Sequence, residues 1–185
     1  MWRSVVNLDI IVSSILGRVT ATTILDQDTT MDSALDASYR LSLLVHDIVN
    51  NVYKHASVST PAVEKYLSKL DKWTQSLPTH LRISGAPQDH NYQECKHVSG
   101  SLNISCYYHF AVVLVCRPFL VSHLLNCMLN RRALAGHVAR SGPIHMDVQR
   151  RDVAEKCVLA ATYMAQTCHE VLEADFLLES APLMK

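Results

Sequence analysis

The side chains best equipped for chemistry are six cysteines: Cys95, Cys106, Cys116, Cys127, Cys157 and Cys168. Thiolates can hold zinc, but a zinc module needs close ligand pairs, because one turn must aim two thiolates at one ion. The chain contains no CxxC pair. Three of the intervals (Cys95 to Cys106, Cys116 to Cys127, Cys157 to Cys168) are 11 residues, about three helical turns. That spacing places thiols along apolar helix faces and suits reduced, buried, small hydrophobes in an intracellular protein. His90 and His97 flank Cys95 in a polar stretch, but a metal site there would need a fourth ligand and a convergent geometry.

Three charged residues stand in apolar surroundings. Asp9 interrupts the apolar pattern of the first helix, and an unpaired buried carboxylate is costly. Arg18 and Arg117 are its two candidate partners, so a structural buried pair of Asp9 with Arg18 or Arg117 is expected. A catalytic acid is the alternative for Asp9, yet no base is spaced with it. Arg117 precedes Pro118, which has no N–H for the carbonyl of Leu114 and disfavours helical dihedrals before it. The helix is expected to kink or restart there, with the Arg117 guanidinium on the free carbonyl; an anion or ligand site is the alternative. No catalytic residue, metal or cofactor is expected: G-x-G-x-x-G, P-loop, G-x-S-x-G and H-E-x-x-H patterns are all missing.

The elements that would carry these residues are helical. The pattern predicts helices from about Trp2 to Leu16, from Asp32 or Ser33 to Lys54–His55, from Thr60 to Leu77, from Ser101 across Pro118 to about Met128, and from about Asp147 to Ala174. On the first, Trp2, Val5, Val12 and Leu16 are expected to face the core, flanked by Val6 and Ile15, with Gly17 closing the helix. Leu41, Leu44, Val45, Ile48 and Val52 mark the second. Thr60, Pro61 and Glu64 mark the start of the third, whose seam is Val63, Tyr66, Leu67, Leu70, Trp73 and Leu77. Thr79 to Gly100 and Arg131 to Met146 read as connections. The stripe of the last helix is Val153, Cys157, Ala160, Ala161, Met164, Cys168, Val171 and Leu172. From Cys106 to Cys116 only His109 is strongly polar, so that helix is the one the others pack around. Its clean run is shorter than the about 20 residues a membrane span requires. The fold expected is all-α, an irregular bundle of about five long helices around a central apolar helix.

Composition agrees: 185 residues suffice for one core, 49% are apolar, and there are only 5 Gly and 6 Pro. Lysine plus arginine and aspartate plus glutamate are equal at 17 each. That balance argues against a free-standing nucleic-acid binder, which usually shows a basic excess. The N-terminus carries no signal-peptide pattern.

Four stretches in order resemble a known family. Met1–Val19 (MWRSVVNLDIIVSSILGRV) is similar to the tryptophan helix of the regulatory, or middle homology, domain of the fungal binuclear zinc cluster transcription factors. Ser76–Arg82 (SLPTHLR) is similar to the leucine-proline-x-x-leucine-arginine before that domain's variable loop. Ser101–Leu120 (SLNISCYYHFAVVLVCRPFL) resembles its central helix, and Arg150–Glu173 (RRDVAEKCVLAATYMAQTCHEVLE) its cysteine-alanine-alanine helix. The resemblance covers nearly the whole chain. It departs at Val19, where the family usually has proline, and in the missing six-cysteine zinc cluster that contacts DNA. Helices that flank this region in the family are missing at both ends, so the chain reads as a partial domain.

The resemblance implies a transcription regulator of the nucleus that receives a partner protein or a small inducer and reaches DNA only through a missing module or a partner. A homologous transcription factor is the expected partner, with no membrane association. An incompletely covered central helix also implies possible self-association. The alternative is a small all-α enzyme or ligand carrier with no legible site.

Overall fold

The computed structural model describes residues 2–18, 20–22, 33–53, 59–82, 92–135 and 148–173, with side chains of the last two segments described over 99–129 and 149–169. Among the described residues six helices follow one another: α1 (Trp2–Leu16), α2 (Ala34–Val52), α3 (Thr60–Ser76), α4 (Thr79–Arg82), α5 (Tyr92–Ala135) and α6 (Val148–Glu173). Among the described residues there is no strand. The fold is all-α, a bundle of five long helices and one single turn.

Local sequence explains most helix ends. Gly17 adopts φ +65°, and the Arg18 N–H donates to the Ser13 carbonyl at 2.9 Å, the long bond of a Schellman motif. Ser33 caps α2 by accepting from the Asp36 N–H at 3.2 Å. Arg3 of α1 pairs with Asp36, so the starts of α1 and α2 are tied. The N-cap of α3 is Ser59, one residue earlier than expected, and its side chain makes no capping bond; Pro61 sits in the first turn. The expected connection from Thr79 to Gly100 is partly helical, since α4 follows Pro78 at once and α5 begins at Tyr92.

The fold is layered around α5. Helix α1 packs on α2, α2 on α3 and α5, and α3 and α4 on α5, while α6 packs along α5 in the most extensive interface of the molecule. The core gathers Leu41, Val45, Ile48 and Val52 of α2, Val63, Leu70 and Trp73 of α3, Ile104, Ala111, Leu114, Val115 and Phe119 of α5, and Val153, Cys157 and Ala160 of α6. Fully burying one such leucine or isoleucine stabilises by about 1.5–3 kcal/mol.

Two expectations are corrected. Helix α1 turns the opposite way: Val6, Asn7, Ile10 and Ser13 are buried, whereas Trp2, Val5, Leu8, Val12, Ile15 and Leu16 are 43% to 64% exposed. Asn7 can face α2 because Ser42 donates to its side-chain oxygen at 2.9 Å. Helix α5 does not restart at Arg117 either; it spans 44 residues with Pro118 inside it. One consequence is that Ser99–Leu129, 31 residues containing an 18-residue window of mean hydropathy 1.8, is long and apolar enough to cross a membrane. In this molecule its first part is core, with Ser101, Ile104, Tyr107, Ala111, Leu114 and Val115 all buried.

Candidate functional site

The break in hydrogen bonding at Pro118 is filled from another helix. The carbonyl that a residue at 118 would normally serve is that of Leu114, and the Tyr53 hydroxyl donates to it at 2.8 Å. From α6, the Cys157 thiol points to the neighbouring Val113 carbonyl, with Sγ and O 3.8 Å apart. Arg117 was expected to fill this role. It is instead exposed, and its charge acts only at a distance on the phenol and the thiol. Burial pushes the Tyr53 phenol up, and Arg117 pulls it partly back. The Cys157 thiol likewise rises through burial, opposed by Arg117.

Asp9 is held by hydroxyls rather than by arginines. Its carboxylate accepts from the Thr22 N–H at 2.8 Å, the Thr22 hydroxyl at 2.6 Å and the Ser13 hydroxyl at 3.2 Å. These bonds, Thr22 foremost, hold the carboxyl below its ordinary range. Arg18 is exposed beyond Gly17, and among the described ion pairs none joins Asp9 to Arg18 or to Arg117. The physical reason lies in the Gly17 turn, which reverses the chain and returns Thr22 to the side of α1 that carries Asp9. The three residues proposed as a buried pair therefore stand apart.

A second polar connection runs through the core. The Tyr107 hydroxyl donates to Ser42 Oγ at 2.8 Å, and Ser42 Oγ reaches Asn7 Oδ1 at 2.9 Å and the Ser38 carbonyl at 3.0 Å. It links α5, α2 and α1, and burial pushes the Tyr107 phenol far up. The chain's periodicity gave no sign of it, since neither Asn7 nor Ser42 belongs to an apolar stripe. Nearby on α3, the buried Trp73 indole N–H has no partner among the described residues, while its ring stacks on Tyr108 with centroids 6.3 Å apart.

A concave surface lies between α5 and α6. A groove of about 700 Å³ is lined by Leu120, His123, Leu124, Arg151, Ala154, Glu155, Val158 and Leu159. Its floor is aliphatic and its rim polar. Arg151 pairs with Glu155 at 3.0 Å along α6, and His123 Nε2 lies 3.7 Å from Cys127 Sγ. Leu159 also lines a second hollow of about 340 Å³ with Tyr108, His109 and Tyr163. There His109 stacks on Tyr163 at 5.5 Å, and burial holds its imidazole below the usual range. Exposed Val121, Leu125, Met128 and Leu129 extend the apolar surface along α5.

No family model, curated protein or solved structure matches this chain. Its chemistry is therefore read from its own residues. Among the described residues no three histidine, cysteine or acidic side chains converge as a metal site would need. His90 lies outside the described residues, as do the side chains of Cys95 and His97. The five described cysteines are free thiols. Cys116 and Cys157 are buried as expected, Cys106 is half-buried, and Cys127 and Cys168 are exposed against expectation. An aliphatic floor with a polar rim suits the insertion of apolar side chains.

Proposed function

We propose that this chain is a regulatory part of a fungal zinc cluster transcription regulator, working in the nucleus as a helical docking module. Contact with DNA would be made by residues outside these 185 or by a partner. The observation that carries this reading is the aliphatic groove between α5 and α6, continuous with the exposed apolar end of α5. Apolar surface of this kind, rimmed by polar groups, marks interaction sites on folded proteins. Further support comes from the four motifs resembling the regulatory domain, in the family's order, and from the balanced charge of 17 basic and 17 acidic residues, which leaves little attraction for phosphate.

The test is a tethering experiment in fungal cells. The chain is fused to an unrelated DNA-binding domain and placed upstream of a reporter. The fusion should change expression several-fold over the DNA-binding domain alone. The double substitution Leu124→Glu with Val158→Glu, which puts charge on both walls of the groove, should remove the effect at equal protein abundance. A reporter that the unaltered fusion leaves unmoved would overturn the proposal.

A further inference from the structure

The outer face of α1 carries a heptad seam. Val5, Leu8, Val12 and Ile15 recur at intervals of three, four and three residues, the a and d spacing of a coiled coil. With Trp2 and Leu16 beside them, they are 43% to 64% exposed. The buried residues of α1, Val6, Asn7, Ile10 and Ser13, lie on the opposite side of the helix, where α2 packs. Among the described residues nothing covers the seam, and the α5–α6 groove does not include it.

We propose that α1 pairs with the α1 of a second copy of this chain, parallel and about a two-fold axis, in a two-stranded coiled-coil contact. The occupant follows from the seam itself. A two-fold axis along parallel helices sets each position against its own counterpart, so a seam that suits itself is needed. Val5 and Val12 at a with Leu8 at d is the combination that favours two parallel strands. Neither a nor d holds a charged residue, so no like charges meet at the axis. Asp9, beside the seam, is already held by Thr22 and Ser13.

The area is sufficient. Six large apolar side chains, each about half exposed, present roughly 600 Å² per protomer, so a pair covers about 1,200 Å², the lower end of stable specific interfaces. A helix of 15 residues is marginal in water by itself. Here α1 is already folded against α2, so association does not bear the cost of ordering it. The contact is independent of the groove and of what docks there.

The full chain is followed by sedimentation equilibrium across the micromolar range. Its mass should rise reversibly from 20.7 kDa to twice that value. Trp2 emission should shift to the blue over the same range as its ring is covered, while Trp73 is buried throughout. Leu8→Glu should weaken pairing by about 100-fold or more, because symmetry puts two charges at one point. Leu8 is 64% exposed, so a dilute sample of this variant should melt like the parent. Leu8→Lys should behave alike, and an equimolar mixture of the two variants should restore the dimer. The groove variant Leu124→Glu with Val158→Glu should dimerise as the parent does. A parent chain that stays monomeric, a dimer that survives Leu8→Glu, loss of the dimer in the groove variant, or a mixture that fails to pair would overturn the proposal.

Discussion

The Tyr53 hydroxyl donates to the Leu114 carbonyl at 2.8 Å, supplying from the end of α2 the hydrogen bond that Pro118 withholds inside α5. A proline in a helix interior ordinarily costs about 3 kcal/mol, through the lost bond and a clash with the carbonyl one turn back. Here the lost bond is replaced by a side chain 61 residues away in sequence. The helix continues past Pro118, and α2 is fastened to α5 at the same point.

The coupling between these groups can be measured. Tyr53→Phe should lower stability by about 1 kcal/mol, the net worth of a typical hydrogen bond. In a Pro118→Ala background, where residue 118 again has an N–H, the same change should cost clearly less. Urea melts of the two single variants and the double variant give the interaction energy. Strict additivity would mean that Tyr53 does not serve the carbonyl freed by Pro118.

The polar connection through the core predicts an asymmetry. Tyr107→Phe leaves Ser42 with its bonds to Asn7 and the Ser38 carbonyl, and should cost about 1 kcal/mol. Ser42→Ala strands both the Tyr107 hydroxyl and Asn7 Oδ1 in the core, and should cost about 1–3 kcal/mol for the unsatisfied groups. Equilibrium unfolding in urea should rank Ser42→Ala as the more damaging change. The reverse order would be incompatible with the arrangement described.

Asp9 should respond to acid. Its folded-state pKa is depressed, chiefly by the Thr22 hydroxyl and N–H. Its contribution is therefore complete above the unfolded value of about 3.9 and is lost as pH falls through the lower folded value. Carboxyl titration by NMR should place Asp9 below an ordinary aspartate. Thr22→Ala should move it upward, whereas Arg18→Gln and Arg117→Gln should leave it nearly in place. A large upward move with either arginine variant would restore the ion-pair reading.

Gly17 separates conformational strain from crowding. A Cβ there would meet nothing within 4 Å, so Gly17→Ala tests only the positive φ. The left-handed conformation costs an L-residue about 1–2 kcal/mol. Gly17→Asn should cost less, because asparagine tolerates that region. Thermal melts of the two variants should fall in that order, with Gly100→Ala as a contrast, since its Cβ would come within 3.0 Å of the Ala34 Cβ.

Much of the architecture was legible because period-3.6 stripes on α2 and α3 have one apolar side. Leu41, Val45, Ile48 and Val52, and Val63, Tyr66, Leu70 and Trp73, are buried as the spacing requires. The orientation of α1 was not legible, because apolar residues occupy both of its sides and Asn7 and Ser13 lie on the buried one. Their burial depends on partners in other segments, and Ser42 stands 35 residues away from Asn7. Likewise, the rule that proline breaks a helix is local, while the donor that overrides it is tertiary. The α5–α6 groove escaped notice because Val158 falls outside the stripe expected for the last helix, and only the packing shows that it lines a hollow with Leu124. Asp9 was rightly marked as needing partners. Its threonine could have been suspected from the reversal that Gly17 imposes.

The position of α6 has a consequence for how the molecule comes apart. Among the described helices it comes last, and its packing lies almost wholly on α5, while α1, α2, α3, α4 and α5 are joined to one another without it. Cooperative units of this kind open at free energies below that of global unfolding. Loss of α6 would leave the Tyr53, Ser42 and Asp9 connections intact, since none of them includes an α6 residue. The chain thus consists of a mutually braced assembly and one detachable arm. Amide hydrogens of α6 would exchange first, and any occupant of the groove would slow that exchange by tying the arm to the rest.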